Sequence, residues 1–324
     1  MDYLVTSNLA PSAGIPHVGF KVSATVQSAF APPCTLDEAE RYTRRLALGH
    51  YENFSVISIM LPRHLRQDFS NVYAFCRTAD DLSDEVPDRN QSLEYLSRFR
   101  DLTRSCYEDN ARSPLFVALR QTITRFDIPI EPFLDLISAF EQDRRLNRYE
   151  TFDQLVDYCR RSADPVGRLV LYMCGYRDQK RQQLSDRTCT ALQLANFWQD
   201  VRRDIIERDR IYIPMDSMRQ FGVTEQQIVE GRCDDHFREM MRSEVDRTEA
   251  LFMEGERLLP MLDLSVRRQV MLFGQGGRAV LEAIRRQKFD TLSRRPVISG
   301  WRQGRLIAQA LASALAAKFS RRSA

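Results

Sequence analysis

The sequence predicts an all-α protein built as one domain. Alternating apolar and polar stretches, the mark of half-buried strands, are scarce. Pro62, Pro87, Pro114, Pro129, Pro132, Pro214, Pro260 and Pro296 fall at intervals suited to helices and their turns. Neither a GxGxxG fingerprint nor a GxxxxGKS/T loop occurs, and no internal repeat is clear, which argues against a nucleotide-binding α/β fold.

Taken in order, residues 1–34 are rich in Ser, Ala, Gly and Pro and are expected to be a flexible leader. Thr35-Leu-Asp-Glu38 is a capping box, followed by an amphipathic run from Glu40 to Leu48. Helical patterning continues through the main domain, 35–295. The tail, 296–324, carries Trp301, Leu306, Ile307, Leu311, Leu315 and Phe319 among alanines, with Arg302, Arg305 and Lys318 nearby. It is either a last core helix or an amphipathic helix lying on a membrane surface.

The 324 residues are 43% hydrophobic, enough for a sizeable core. A net charge of +3 is too near neutral to argue for nucleic acid. Seven cysteines, an odd number with no Cys-x-x-Cys pair, favour reduced thiols in a cytoplasmic protein over disulfides or zinc. No apolar run of about 18 residues marks a membrane span, and the N-terminus lacks the features of a secretory signal.

Two aspartate pairs carry the chemistry. Asp80 and Asp84 lie in Arg77-Thr-Ala-Asp-Asp-Leu-Ser-Asp-Glu85, and Asp200 and Asp204 in Asn196-Phe-Trp-Gln-Asp-Val-Arg-Arg-Asp204. Residues four apart share a helix face, about 6 Å along the axis, where like charges repel. Tyr73, Arg77, Asp80 and Asp84 form one stripe; Gln193, Asn196, Asp200 and Asp204 form another. Metal bound by these carboxylates, with Asn196 as a further oxygen ligand and Arg77 reaching a phosphate, would offset the repulsion; Mg²⁺ prefers such donors. The plainer alternatives are an acidic helix end before Pro87 and surface pairing of Asp200 and Asp204 with Arg202 and Arg203. Together the two stripes suit a cluster of metal ions on a diphosphate, so that a carbon–oxygen bond ionises beside an apolar cavity.

With these motifs the chain resembles the squalene/phytoene synthase family over roughly residues 40–295. Asp80 to Asp84 matches the family's first aspartate-rich motif. Gln193-Leu-Ala-Asn196, Asp200 to Asp204 and Arg210-Ile-Tyr212-Ile-Pro214 match the second. The resemblance implies a single-domain isoprenoid-synthase helical bundle with a deep central cavity, Mg²⁺, and farnesyl, geranylgeranyl or presqualene diphosphate as substrate. It also assigns roles. Metal ligands are Asp80, Asp84, Asn196, Asp200 and Asp204. Substrate contacts are His50, Asn53, Phe54, Tyr73, Arg77, Gln193, Asn196, Arg210 and Tyr212. Tyr158, opening Tyr158-Cys159, matches the catalytic-site tyrosine, and the four paired aspartates are catalytic with it. Without the resemblance, Phe54, Tyr73 and Tyr158 read equally as core aromatics and His50 as a surface cap.

Departures narrow the product. Relatives that make carotenoid precursors or squalene usually read Val-Ala-Gly-x-Val-Gly after the Tyr-Cys pair; here the stretch is Arg160-Arg-Ser-Ala-Asp-Pro-Val-Gly167. Gly277 stands where many relatives carry tyrosine. These features resemble the bacterial hydroxysqualene synthases of hopanoid pathways. That branch implies ionisation of presqualene diphosphate and water capture, no NADPH, and functional coupling to other squalene-pathway enzymes. Asp164, Arg160 and Gly277 would make the cavity wall more polar or roomier. Alternatives are condensation of two farnesyl diphosphates to presqualene diphosphate, a carotenoid-type synthase, and a non-catalytic scaffold. The implied location is the cytoplasm, with peripheral contact at the inner membrane through the tail an open option.

Overall fold

The computed structural model describes residues 24–32, 34–49 and 63–298. His50, Asn53, Phe54 and the tail from Trp301 lie outside the described residues.

The helices are α1 (Ala24–Ala29), α2 (Leu36–Gly49), α3 (Arg66–Asp84), α4 (Arg89–Tyr107), α5 (Pro114–Phe126), α6 (Glu131–Asp143) and α7 (Phe152–Ser162). They continue as α8 (Asp164–Met173), α9 (Gln179–Arg208), α10 (Met215–Phe221), α11 (Glu225–Glu230), α12 (Asp235–Gly255) and α13 (Leu264–Arg286). Among the described residues the only extended pairing is one isolated bridge, Arg148 with Ile211, so the all-α expectation holds. None of the described helices is long and apolar enough to cross a membrane. The seven cysteines are free thiols.

Local chemistry starts these helices where the sequence signals them. The capping box at α2 forms in both directions: Glu38 Oε2 accepts from the Thr35 amide at 2.9 Å, and Thr35 Oγ1 accepts from the Glu38 amide at 3.4 Å. Asp88, Thr151, Asp178 and Asp234 cap α4, α7, α9 and α12 through their side-chain oxygens.

The segment expected as a leader is in part a packed element. In α1, Val26 and Ala29 are buried, and Ser28 Oγ lies 2.5 Å from the Tyr42 hydroxyl. Phe30 then packs on Tyr95 beneath the Arg98 guanidinium. Small residues read as leader composition, yet here they let a short helix seat closely.

Among the described residues two large apolar cores result, with a smaller cluster of Leu171, Leu258 and Leu262 beside them. One gathers Phe75, Phe99, Phe116 and Phe133 between α3, α4, α5 and α6. The other surrounds α9 with Tyr149, Tyr158, Phe197, Trp198 and Phe252. A buried polar network fixes α3 against α2 and α5. Thr43 Oγ1 and Gln67 Nε2 donate to Asn71 Oδ1, each at 2.7 Å, while Asn71 Nδ2 donates to the Ala118 carbonyl. On the other side, Trp198 Nε1 donates to Thr248 Oγ1 at 2.7 Å and fixes α9 against α12. Each acidic helix is thus packed into its own core.

Candidate active site

The first stripe occupies the last three turns of α3. Asp80 lies beside Asp84, and burial together with that neighbour pushes its carboxyl up to about 6. Arg77 spans the acids of its own helix, with Nη2 2.5 Å from Asp81, Nη1 3.4 Å from Asp80 and Nη2 3.3 Å from Glu85. It was expected to reach a phosphate; in this state Asp81, buried and pushed up to about 6, holds it. Tyr73 is half-buried against the first core.

The second stripe runs along α9. Gln193 is half-buried and Asn196 exposed. Burial and the neighbouring Asp200 push the Asp204 carboxyl up to about 7. Surface pairing with Arg202 and Arg203 does not occur: Arg203 pairs with Glu207, and Arg202 donates to the Leu292 carbonyl. Instead Arg295, from the segment after α13, pairs with both Asp200 oxygens, with Nη2 3.0 Å from Oδ2. Gln199 Nε2 donates to the Pro296 carbonyl at 2.6 Å and anchors that segment.

The stripes are joined through the end of α9. Asp209 turns the chain in the left-handed region (φ 52°), and the Arg210 amide donates back to the Asp204 carbonyl at 3.1 Å. Asn147 Nδ2 and Arg148 Nη2 bind the Asp209 carboxylate at 2.9 and 2.8 Å and fix the turn. Arg208 Nη1 then lies 3.2 Å from Asp84 Oδ2, and Arg210 Nη2 lies 3.3 Å from Asp84 Oδ1. Arg210 is buried and also donates to the Asp143 carbonyl at 3.3 Å.

Behind this join, Tyr158 donates from its hydroxyl to Asp143 Oδ2 at 2.8 Å. Burial pushes the Asp143 carboxyl up to about 7, against the pull of Arg210. Burial and Asp143 raise the Tyr158 phenol well above its ordinary value, so it stays protonated and donates. Tyr158 is therefore both a core aromatic and part of the polar join. Tyr212 stacks on Phe197 with ring centroids 3.6 Å apart, and both rings face Tyr158 within about 6 Å.

Asp143, Arg208 and Arg295 escaped the sequence reading. Asp143 and Arg295 lie far from either acidic motif in the chain. Arg208 was legible in principle, two residues before Arg210.

Two expectations about the wall change. A Cβ on Gly277 would lie 2.5 Å from Phe252 Cζ and 2.7 Å from Leu192 Cδ2. Gly277 therefore permits close packing of α13 and leaves no extra room. Arg160 is exposed. Asp164 is buried and accepts from Thr190 Oγ1 at 2.8 Å, its carboxyl pushed up to about 8 by burial and then by Asp186.

The raised carboxyl has a thermodynamic consequence. Because the folded protein holds the Asp164 proton more tightly than the unfolded chain, this group costs stability as pH rises from about 4 to about 8. Asp164→Asn should leave stability at pH 4.5 nearly unchanged and raise it by a few kcal/mol at pH 8, relative to the parent. Urea unfolding at both pH values measures this; an equal change at both would refute it.

The residues present fit a divalent metal. Among the described residues no three carboxylate, imidazole or thiol groups converge into a self-contained metal site. Each stripe instead offers two oxygen donors, and in each the proton affinity of one carboxyl, Asp80 or Asp204, is raised by burial and by its neighbour, which is the electrostatic deficit a shared cation removes. Oxygen-only donors suit Mg²⁺, which keeps waters and bridges to phosphates.

Comparison with known proteins agrees with the helical fold. The sequence model of the squalene/phytoene synthase family matches residues 47–302. The crystal structure of squalene synthase HpnC from Alicyclobacillus acidocaldarius superposes with a TM-score of 0.76 at 45% identity, covering 82% of this chain and 99% of that one. A hydroxysqualene synthase of Zymomonas mobilis is 39% identical over 180 residues, 54% of this chain and 59% of its own length. A phytoene synthase of Arthrospira platensis is 29% identical over 284 residues, 84% of this chain and 92% of its own.

Proposed function

The chain belongs to the squalene/phytoene synthase family, and from that membership we propose that it ionises presqualene diphosphate and captures the rearranged cation with water to give hydroxysqualene. Its relatives are isoprenoid-synthesising enzymes. The observation that carries the proposal is the convergence on Asp84 of Arg208 and Arg210, which ties one aspartate pair to the other beside Tyr158. The product follows from the likeness to HpnC and to the Zymomonas enzyme.

Asp80, Asp84, Asp200, Asp204 and Asn196 would hold Mg²⁺. When bound, the metal neutralises the leaving diphosphate as a Lewis acid. The chain's own groups do the rest. Arg210, buried and always charged, orients a diphosphate at the join. The stacked rings of Phe197, Tyr212 and Tyr158 form an aromatic cluster near Arg210, and aromatic rings favour positive charge in a departing carbon skeleton. The carbon–oxygen bond breaks with its electron pair going to diphosphate, the cyclopropylcarbinyl cation rearranges, and a water oxygen adds to it. The proton lost from that water is taken by the diphosphate, the base the first step created. Tyr158, held by Asp143, positions polar groups without itself ionising.

A second reading, condensation of two farnesyl diphosphates to presqualene diphosphate or a phytoene-type product, is favoured by the phytoene synthase likeness over most of the chain. Purified protein incubated with presqualene diphosphate and Mg²⁺ should yield hydroxysqualene, with no dependence on NADPH. Recovery of squalene, or turnover of farnesyl diphosphate alone to presqualene diphosphate, would replace this reading with the second.

A further inference from the structure

Arg208 and Arg210 both touch Asp84, yet they are held in different ways. The Arg210 side chain is 7% exposed and is shared between Asp84 and Asp143. The Arg208 side chain is 46% exposed and, among the described residues, pairs with Asp84. Arg208 is also the last residue of α9, directly before the pinned turn at Asp209, so its backbone is fixed while its side chain can swing.

Its position is central to both stripes. The guanidinium contacts Asp84 on α3, and it is carried by the last turn of α9, the helix that bears Asp200 and Asp204. A divalent ion entering the same space would meet a guanidinium on a carboxylate it needs. A diphosphate entering with it would offer that guanidinium a better acceptor, since its fork matches phosphate oxygens.

We propose that Arg208 is a transferable counter-cation: it neutralises Asp84 in the ligand-free protein and moves to a phosphate oxygen when a metal-bridged diphosphate binds. Asp84 Oδ2 is thereby released to the metal. The proposal rests on the diphosphate reading above and adds a residue to it. Arg208 is both an obstacle to bare metal and a ligand of the metal–diphosphate complex, so its removal has opposite effects in the two situations. A purely structural ion pair between α3 and α9 loses no phosphate contact when it is broken, so it would leave pyrophosphate binding nearly unchanged.

The test uses the full chain and Arg208→Gln, with Arg208→Lys as the charge-conserving variant. Mn²⁺ binding, followed by electron paramagnetic resonance without diphosphate, should tighten roughly threefold to fivefold in Arg208→Gln. Binding of inorganic pyrophosphate in saturating Mg²⁺, followed by calorimetry, should weaken about tenfold or more in the same variant. Arg208→Lys should lie between Arg208→Gln and the parent in both. Mn²⁺ affinity unchanged or lowered in Arg208→Gln, or pyrophosphate affinity unchanged, overturns the proposal. Asp80→Asn, measured alongside, separates the two levels. If it loses Mn²⁺ while Arg208→Gln behaves as the parent, only the role of Arg208 fails. If the parent binds neither Mn²⁺ nor pyrophosphate, the diphosphate reading fails and this proposal with it.

Discussion

Asp80→Asn and Asp200→Asn are each expected to lower turnover by about a thousandfold or more while leaving helix content and unfolding midpoint near those of the parent. The physical reason is the separation of roles within each helix. The apolar faces of α3 and α9 pack into two different cores, so the folded state does not depend on the acidic stripes. The stripes carry a repulsive burden: Asp84 raises Asp80, and Asp200 raises Asp204. Removing one charge relieves that burden, and a neutral amide is nearly the same size. What is lost is a donor to the metal and hence charge neutralisation of the leaving diphosphate. Steady-state assays with circular dichroism and thermal unfolding measure both halves. Near-normal turnover in either variant would remove the metal assignment. Chelation with EDTA should stop the parent enzyme and Mg²⁺ should restore it, on the same grounds.

Arg210→Met is expected to have the largest effect on stability, about 3–5 kcal/mol at pH 8, together with loss of activity. Arg210 compensates Asp84 and Asp143, and all three side chains are largely withdrawn from water. Removing the cation leaves a buried carboxylate with no counter-charge, unless that group takes up a proton. Asp143 is already poised to do so, its carboxyl pushed up to about 7 by burial while Arg210 pulls it down. Without Arg210 the folded-state value climbs further. At pH 8 the parent holds Asp143 largely ionised, and the variant must either protonate it or bury its charge. Below about pH 6 the carboxyl is protonated in both proteins, so the difference should shrink. Urea unfolding at pH 5.5 and 8.5 tests the sign. A loss equal at both pH values would mean that Arg210 acts through packing alone. Tyr158→Phe, which removes the donor to Asp143 at 2.8 Å, should cost only about 1 kcal/mol, because the ring packing with Tyr149 and Tyr212 survives.

Much of the architecture is readable from short-range chemistry. The Thr35–Glu38 box caps its helix because Ser or Thr three residues before Glu satisfies two end amides whatever the surroundings. The acidic pairs lie on single faces because a helix repeats every 3.6 residues. Where composition alone guided the expectation, it was weaker. The Ser- and Ala-rich stretch at Ala24–Ala29 forms a docked helix because its partner surface, Tyr42 and the α4 aromatics, is distant in sequence. Gly277 suggested room, but whether a missing side chain leaves a gap depends on what fills it, and Phe252 and Leu192 fill it.

The sequence by itself therefore determined the helical class, the family, and the carboxylates and amides that sit on the two stripes. These follow from spacing along the chain, which local hydrogen bonding converts directly into shared faces. Only the tertiary structure decided which charges answer those carboxylates. Arg295 reaches Asp200 from 95 residues away, Arg210 reaches Asp84 from 126 away, and Asp143 enters from a third helix to hold Tyr158. Coulombic partners are selected by distance in space and by burial, and neither quantity is written in the order of residues along a chain.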